Sequence, residues 1–249
     1  MTWIAKACLY LASIALPAAA MAAECNTTRY DGAPFSWCAI DLSQEELRLW
    51  LYSTDAEPFS RFSEIDEALR ADGKALGLAI NAGMFHQDRS AVGLYIEEGL
   101  EKHRLVTAAG PGNFGLLPNG VFCIAKSGAQ VIESRQFAQS APACTYATQS
   151  GPMLVIDGAL HPRFLPDSDS LRIRNGVGVR TDGQSVIIAI SDRPVNFHHF
   201  GRFFRDVLDT PNALYLDGSV SQLFAPALGR FDSGPRLGPI LGTVVPSGG

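Results

Sequence analysis

The chain has 249 residues, 47% hydrophobic and 18% charged, which is enough apolar material for a sizeable core and argues against general disorder. A formal net charge of −5 with no basic run speaks against partners such as nucleic acid or an anionic membrane surface. The 24 glycines and 15 prolines predict many turns between short elements.

Residues 1–22 read as a processing signal. Lys6 supplies a positive start, an apolar run fills 7–20, and small residues close it at Ala20-Met21-Ala22. That is the order of a secretory signal peptide, with cleavage after Ala22 or Ala23. The run is short for a membrane span, which needs about 20 residues. An uncleaved anchor is the alternative. A lipoprotein is disfavoured because Glu24 precedes Cys25. Residues 24–249 are therefore expected to form one periplasmic or secreted domain, with no stable membrane insertion once the signal is removed. Removal takes one lysine and no acid, moving the net charge from −5 to −6.

Cys8 leaves with the signal, and Cys25, Cys38, Cys123 and Cys144 remain. An even number of cysteines in an oxidising compartment predicts disulfides, with three connectivities open. Cys25–Cys38 and Cys123–Cys144 are favoured because both close short local loops. A zinc site would need a close cysteine pair, which the chain lacks.

Further along, Leu47, Leu49 and Leu51 alternate with Arg48, Trp50 and Tyr52, as in a strand. Phe62, Ile65 and Leu69 recur at helical spacing after a possible cap at Ser60, and Gly73 is placed to stop that helix. Leu76, Leu78 and Ile80 form a strand running into Asn81. Residues 110–115 fit the letters G-x-G-x-x-G, but no clear strand precedes them and Pro118-Asn119-Gly120 bars a helix after them. A dinucleotide site needs both, so this is a structured loop. Short strands follow at 121–125 and 153–156, then a hairpin pairing 177–180 with 185–190 around Thr181-Asp182-Gly183-Gln184. Phe200, Phe203, Phe204, Val207 and Leu208 trace one helical face, Pro211 ends it, and 212–216 form a last strand. Strands outnumber helices and lie too close together for crossover helices. The expected class is α+β: a single domain with a mixed, mostly antiparallel sheet and a few packed helices.

Three strand ends carry polar residues: Ile80-Asn81, Ile190-Ser191-Asp192 and Leu216-Asp217-Gly218-Ser219. Polar groups and glycine at strand ends can line a site, although Asp217-Gly218 alone is equally a common turn pair. If 171–174 is extended, Arg172 and Arg174 project from one face and make a fork suited to phosphate; the plain reading is a solvated strand edge. Ser150, Ser191, Ser219 and Ser221 with His198 and His199 allow a serine–histidine hydrolase, but no G-x-S-x-G elbow is present.

Taken in order, five segments resemble the phosphodiester glycosidase family: Asn81-Ala82-Gly83-Met84-Phe85, Ser150-Gly151-Pro152-Met153-Leu154, Leu171-Arg172-Ile173-Arg174-Asn175, residues 179–192, and residues 212–219. Gly112-Asn113-Phe114-Gly115 and Asn119-Gly120-Val121-Phe122 are similar to its bacterial branch, and the resemblance spans about residues 75–224. The sequence departs from the family where two or three glycines often follow the last aspartate, since Gly218 leads directly into Ser219-Val220-Ser221.

The resemblance implies hydrolysis of the sugar C1–O bond of a small-molecule or glycan phosphodiester. It implies Arg172 and Arg174 at the phosphate, and Asp192 and Asp217 as candidates to stabilise an oxocarbenium-like centre or orient water. Asn81, Gly83, Ser150, Gly151, Ser191, Gly218, Ser219 and Ser221 are then expected around the substrate. No cofactor is expected, with a structural divalent cation such as calcium left open at Asp-containing loops like Pro166-Asp167-Ser168-Asp169. The rival reading is a non-catalytic periplasmic binder of envelope glycans or phosphate-linked polymers.

Overall fold

A computed structural model of the protein describes residues 23–247. The segment 1–22, where a signal peptide is expected, lies outside the described residues. Numbered along the chain, seventeen strands make three sheets, and every ladder in them is antiparallel. The seven-stranded sheet runs, edge to edge, β1 (Glu24–Tyr30), β2 (Ala33–Asp41), β13 (Ser185–Ser191), β12 (Asn175–Val179), β14 (Asn212–Tyr215), β10 (Met153–Ile156) and β11 (Ala159–Leu160). A five-stranded sheet has the order β16 (Arg230–Phe231), β15 (Leu223–Ala225), β4 (Lys74–Asn81), β17 (Ile240–Pro246) and β3 (Glu46–Trp50). The other has the order β6 (Leu100–His103), β5 (Tyr95–Glu97), β9 (Tyr146–Ser150), β7 (Gly120–Ala125) and β8 (Gly128–Glu133). The architecture is the expected strand-rich α+β class.

The three sheets share one central core, in which Ile40, Val177, Ile188 and Leu214 meet Leu49, Ile80 and Leu241 from the second sheet and Tyr95 and Phe122 from the third. Alternation along β13 explains the layering. Val186, Ile188 and Ile190 face this core, whereas Ile187 and Ala189 face outward onto a helix. That helix is α3 (Phe197–Arg202), and it continues as one wide π turn, Phe203–Val207. Helix α1 (Phe62–Arg70) covers the second sheet with Phe62, Ile65 and Leu69, and α2 (Ser134–Ser140) covers the third with Phe137. Both disulfides form as expected, Cys25–Cys38 across the β1–β2 hairpin and Cys123–Cys144 beneath α2.

Two expectations need correction. Ser60 does not cap α1: Arg61 holds the cap position, and the Ser60 hydroxyl is taken by Arg89 Nη1. The Ser60 N–H donates to Glu64 Oε2 at 2.6 Å, so the helix entry is tied down from inside the first turn. The single helix expected around residues 200–208 is α-helical only to Arg202. Phe200, Phe203, Phe204 and Leu208 remain buried, but Val207 is exposed. Phe203 stacks on Phe35 with ring centroids 4.1 Å apart, and burying each such ring contributes about 1.5–3 kcal/mol. That packing, together with Thr210 N–H bonding back to Phe204 O, accommodates the widened turn.

Strands β4, β12, β13 and β14 carry Asn81, Asn175, Ser191 and Tyr215 at their ends. The hydrogen bonds described next bring these ends together.

Candidate active site

Asn81, almost fully buried, organises the junction between the first two sheets. Its Nδ2 donates to the backbone carbonyl of Asp217 at 2.7 Å. Its Oδ1 accepts from Asn175 Nδ2 at 3.0 Å and from the Gln222 N–H at 2.9 Å. Asn175 Nδ2 also reaches Asn81 O, and Asp217 N–H bonds Ala82 O. Ser221 Oγ lies 3.1 Å from Asn175 Oδ1, with Ile173 O and Gly218 O a little further away. Its single proton can serve one of them at a time. These bonds hold residues 217–222 in place on both sides of the turn. Asn81 therefore uses its amide oxygen and one amide hydrogen on protein groups, and so positions the turn.

Asp217 sits at the exit of β14, and its Oδ1 accepts the Ser219 N–H at 2.9 Å. Burial raises its carboxyl above the ordinary aspartate value, against the opposing pull of Ser219. Two residues earlier, Tyr215 shares the Asp217 side of the strand. Its hydroxyl occupies the space a side chain at 218 would need: a β-carbon there would lie 1.7 Å from the hydroxyl oxygen. Glycine at 218 is thus a steric requirement of Tyr215.

Arg174 is 1% exposed. Its guanidinium stacks on Phe197, 3.6 Å from the ring centroid, with the Tyr215 hydroxyl close beside it. Nε donates to Val195 O at 2.8 Å and Nη2 to Ser170 O at 2.7 Å. Nη1 is buried and makes no hydrogen bond of ordinary geometry, although the Tyr215 hydroxyl acts on the guanidinium, and burial pulls it below its ordinary pKa. A buried guanidinium with a donor not fully used is rare in a folded interior. Ser191 fixes the backbone here, its Oγ accepting the Arg174 N–H at 2.9 Å.

The expected two-arginine fork does not form. Arg172 pairs through its backbone with Val195, and its exposed guanidinium turns back to Leu171 O. Arg174 is locked by packing, while Arg172 stands at the surface near enough to lower the Arg174 pKa. The two aspartates also have different partners. Asp192 forms an ion pair with Arg230 Nη1 and accepts from Ser36 Oγ, on the central-core side of β13, whereas Ser191 and Arg174 belong to the α3 side. Arg230 is held in turn by Asp232, whose Oδ2 accepts the Leu223 N–H.

The remaining expected residues pack behind this edge. A β-carbon on Gly83 would lie 2.3 Å from Thr148 Oγ1, and one on Gly151 2.6 Å from Asn119 Cβ. Ser150 is fully buried with an unpartnered hydroxyl, and the neighbouring Pro152 carbonyl accepts the Tyr215 N–H. The serine–histidine alternative finds no pair: His199 Nε2 meets Tyr30 O, and Ser191 is used by Arg174. Among the described residues, no three His, Cys, Asp or Glu side chains are grouped to hold a metal ion. Gln222 and Arg230 carried no signal in the sequence, whereas Asn175 and Tyr215 lay inside the motif segments 171–175 and 212–219 without being given a role.

The fold places the chain in the class of strand-rich α+β domains, with the motif residues gathered at one sheet edge. The zebrafish N-acetylglucosamine-1-phosphodiester alpha-N-acetylglucosaminidase catalytic domain, solved auto-inhibited by its pro-peptide, shares this fold with a TM-score of 0.61. Its sequence is 15% identical, and the match covers 89% of this chain and 81% of that one. A hypothetical protein from Synechocystis matches with a TM-score of 0.61 at 13% identity, over 90% of this chain and 62% of that one. In sequence, YigE of Escherichia coli K12 is 30% identical over 216 residues, 87% of this chain and 84% of that protein. The family model for phosphodiester glycosidase matches residues 75–234, and the chain belongs to that family.

Proposed function

We propose that this protein is an exported hydrolase that cleaves the sugar C1–O bond of a glycosyl phosphodiester, releasing free sugar and a phosphate monoester. The observation that carries the reading is the buried Arg174 guanidinium, which no carboxylate neutralises among its hydrogen bonds, set beside Tyr215 and the Asp217 turn. Export is supported by the signal-like N-terminus and by the two disulfides.

The chemistry follows from the leaving group. A phosphate monoester has a second pKa of about 6, so it departs near neutral pH with little help from a general acid. As the C1–O bond breaks, its electron pair stays on the phosphate oxygen. A fixed positive charge at Arg174 stabilises that developing charge without reorganising, and Arg172 at the surface attracts the anionic substrate. Asp217 takes the other half of the reaction. A desolvated carboxylate is a stronger base, suited to accept a proton from the water that adds to C1. Ser219, exposed on the turn, is placed to bond sugar or phosphate oxygens, and Ser221 supports the turn from within. Asp192, neutralised by Arg230, serves to hold the rim rather than to react.

The test is to incubate the protein with an N-acetylglucosamine phosphodiester and follow the anomeric protons by NMR. Release of free sugar that stops in Asp217→Asn is expected. Binding without turnover would favour the glycan-binder reading, and release of a sugar phosphate would place the cut on the wrong bond.

A further inference from the structure

Away from the Arg174–Asp217 edge lies a cavity of about 620 Å³, lined among others by Ala23, Cys25, Glu45, Leu78, Ala225 and Val244. It is walled mostly by apolar atoms, yet a carboxylate opens onto it. Glu45 stands in the turn between β2 and β3, with its own N–H bonded to Asp41 O at 2.8 Å. Its Oε1 accepts the Asp41 N–H at 3.3 Å, while Oε2 is buried and makes no hydrogen bond of ordinary geometry. A buried carboxylate oxygen left without a donor is costly, and its surroundings should offer one.

The backbone nitrogen of Ala23, which lines the same cavity, is one of the two N–H groups that act on this carboxylate, with that of Asp41. Ala23 is held there: its side chain packs against the central core, and the next residues enter β1 and the Cys25–Cys38 bridge. As an ordinary peptide nitrogen it carries one hydrogen and no charge. As a chain terminus it would carry three donors and, with an α-amino pKa of about 7.7–8.0, a positive charge at neutral pH.

We propose that signal removal falls between Ala22 and Ala23, and that the new α-ammonium of Ala23 pairs with the Glu45 carboxylate, replacing the single uncharged N–H that the unprocessed chain offers it. Cleavage one residue later, which the sequence equally allows, would start the chain at Glu24 and remove the donor. Processing would then be coupled to the stability of the exported domain through one half-buried ion pair, independent of the active-site reading.

Mass spectrometry of the exported chain should give Ala23 as its first residue; a terminus at any other residue overturns the proposal. Chains beginning at Ala23, or extended by Gly-Ser before it, are then compared with and without Glu45→Gln. The substitution is expected to lower the melting temperature by about 2–4 °C in the chain that begins at Ala23 and to have little effect in the extended one. Equal effects in both overturn the coupling. The wild-type chains give a second reading that does not depend on the variant folding. The Ala23 amine should react with an acylating reagent at pH 7 several-fold more slowly than the terminus of the extended chain, and equal rates count against the pair.

Discussion

Asn81 and Asp217, 136 residues apart, are joined by a 2.7 Å hydrogen bond from the side-chain amide of one to the backbone carbonyl of the other. The bond ties the end of β4 to the turn after β14, so two sheets jointly set where the Asp217 carboxylate points. The same amide accepts from Asn175 and Gln222, which makes it the hub of a buried network that is stable only when complete.

Replacing Asn81 with alanine strands the Gln222 N–H and the Asp217 carbonyl, while the Asn175 amide keeps the Asn81 backbone carbonyl. Each unsatisfied buried group costs about 1–3 kcal/mol, so a loss of roughly 2–6 kcal/mol is expected in urea unfolding. Sugar release should fall with it even in the folded fraction, because the turn loses its position.

Asp217→Asn should separate stability from activity. Burial raises the Asp217 pKa, so the folded state holds its proton more tightly than the unfolded chain. Its contribution to stability is full below the unfolded pKa and declines as pH rises through the folded one. Asparagine escapes that decline. The variant should melt higher than wild type at pH 7, converge with it near pH 3, and lose turnover by at least about 100-fold.

Arg174→Lys keeps a charge but loses the flat stack on Phe197 and the donors to Val195 and Ser170. A drop of about 10²–10³-fold in kcat/KM on a glycosyl phosphodiester is expected. Arg172→Ala, at the exposed position, should cost less than about tenfold and the loss should shrink in high salt. Similar losses for the two variants would count against the separate roles.

Glu97 offers a pH test far from Asp217. Burial lifts its carboxyl to about 7, with Glu98 adding to the effect and Tyr95 and Lys102 opposing it. Wild-type stability should therefore decline as pH rises from about 4.5 to 7. Glu97→Gln should lack that component, which is read by comparing melting temperatures across the interval.

The Cys123–Cys144 bridge closes a segment with a sequence separation of 21. Replacing both cysteines with alanine should cost about 3 kcal/mol in urea unfolding of the oxidised protein. Fold and site geometry should survive, since the bridge anchors α2 on the far sheet.

Local patterning already contains much of this molecule. The alternation at Leu47 and Leu49, the helical spacing of Phe62, Ile65 and Leu69, the 175–191 hairpin and the choice of cysteine pairs are all short-range relationships, set by side-chain period and turn chemistry. The motif segments also point to the right strand ends. What they could not decide is how residues two apart would divide once the sheets closed. Arg172 and Arg174 have the same parity, yet helix α3 delivers Phe197 to cover one and leaves the other in water. Asp192 and Asp217 look alike as strand-end acids, but Arg230, a residue with no local pattern around it, arrives from β16 to neutralise only the first. Sequence period determines which face a side chain takes, because it is a property of the backbone itself. Burial and charge pairing depend on atoms contributed by distant strands, and only the packed tertiary structure brings those together.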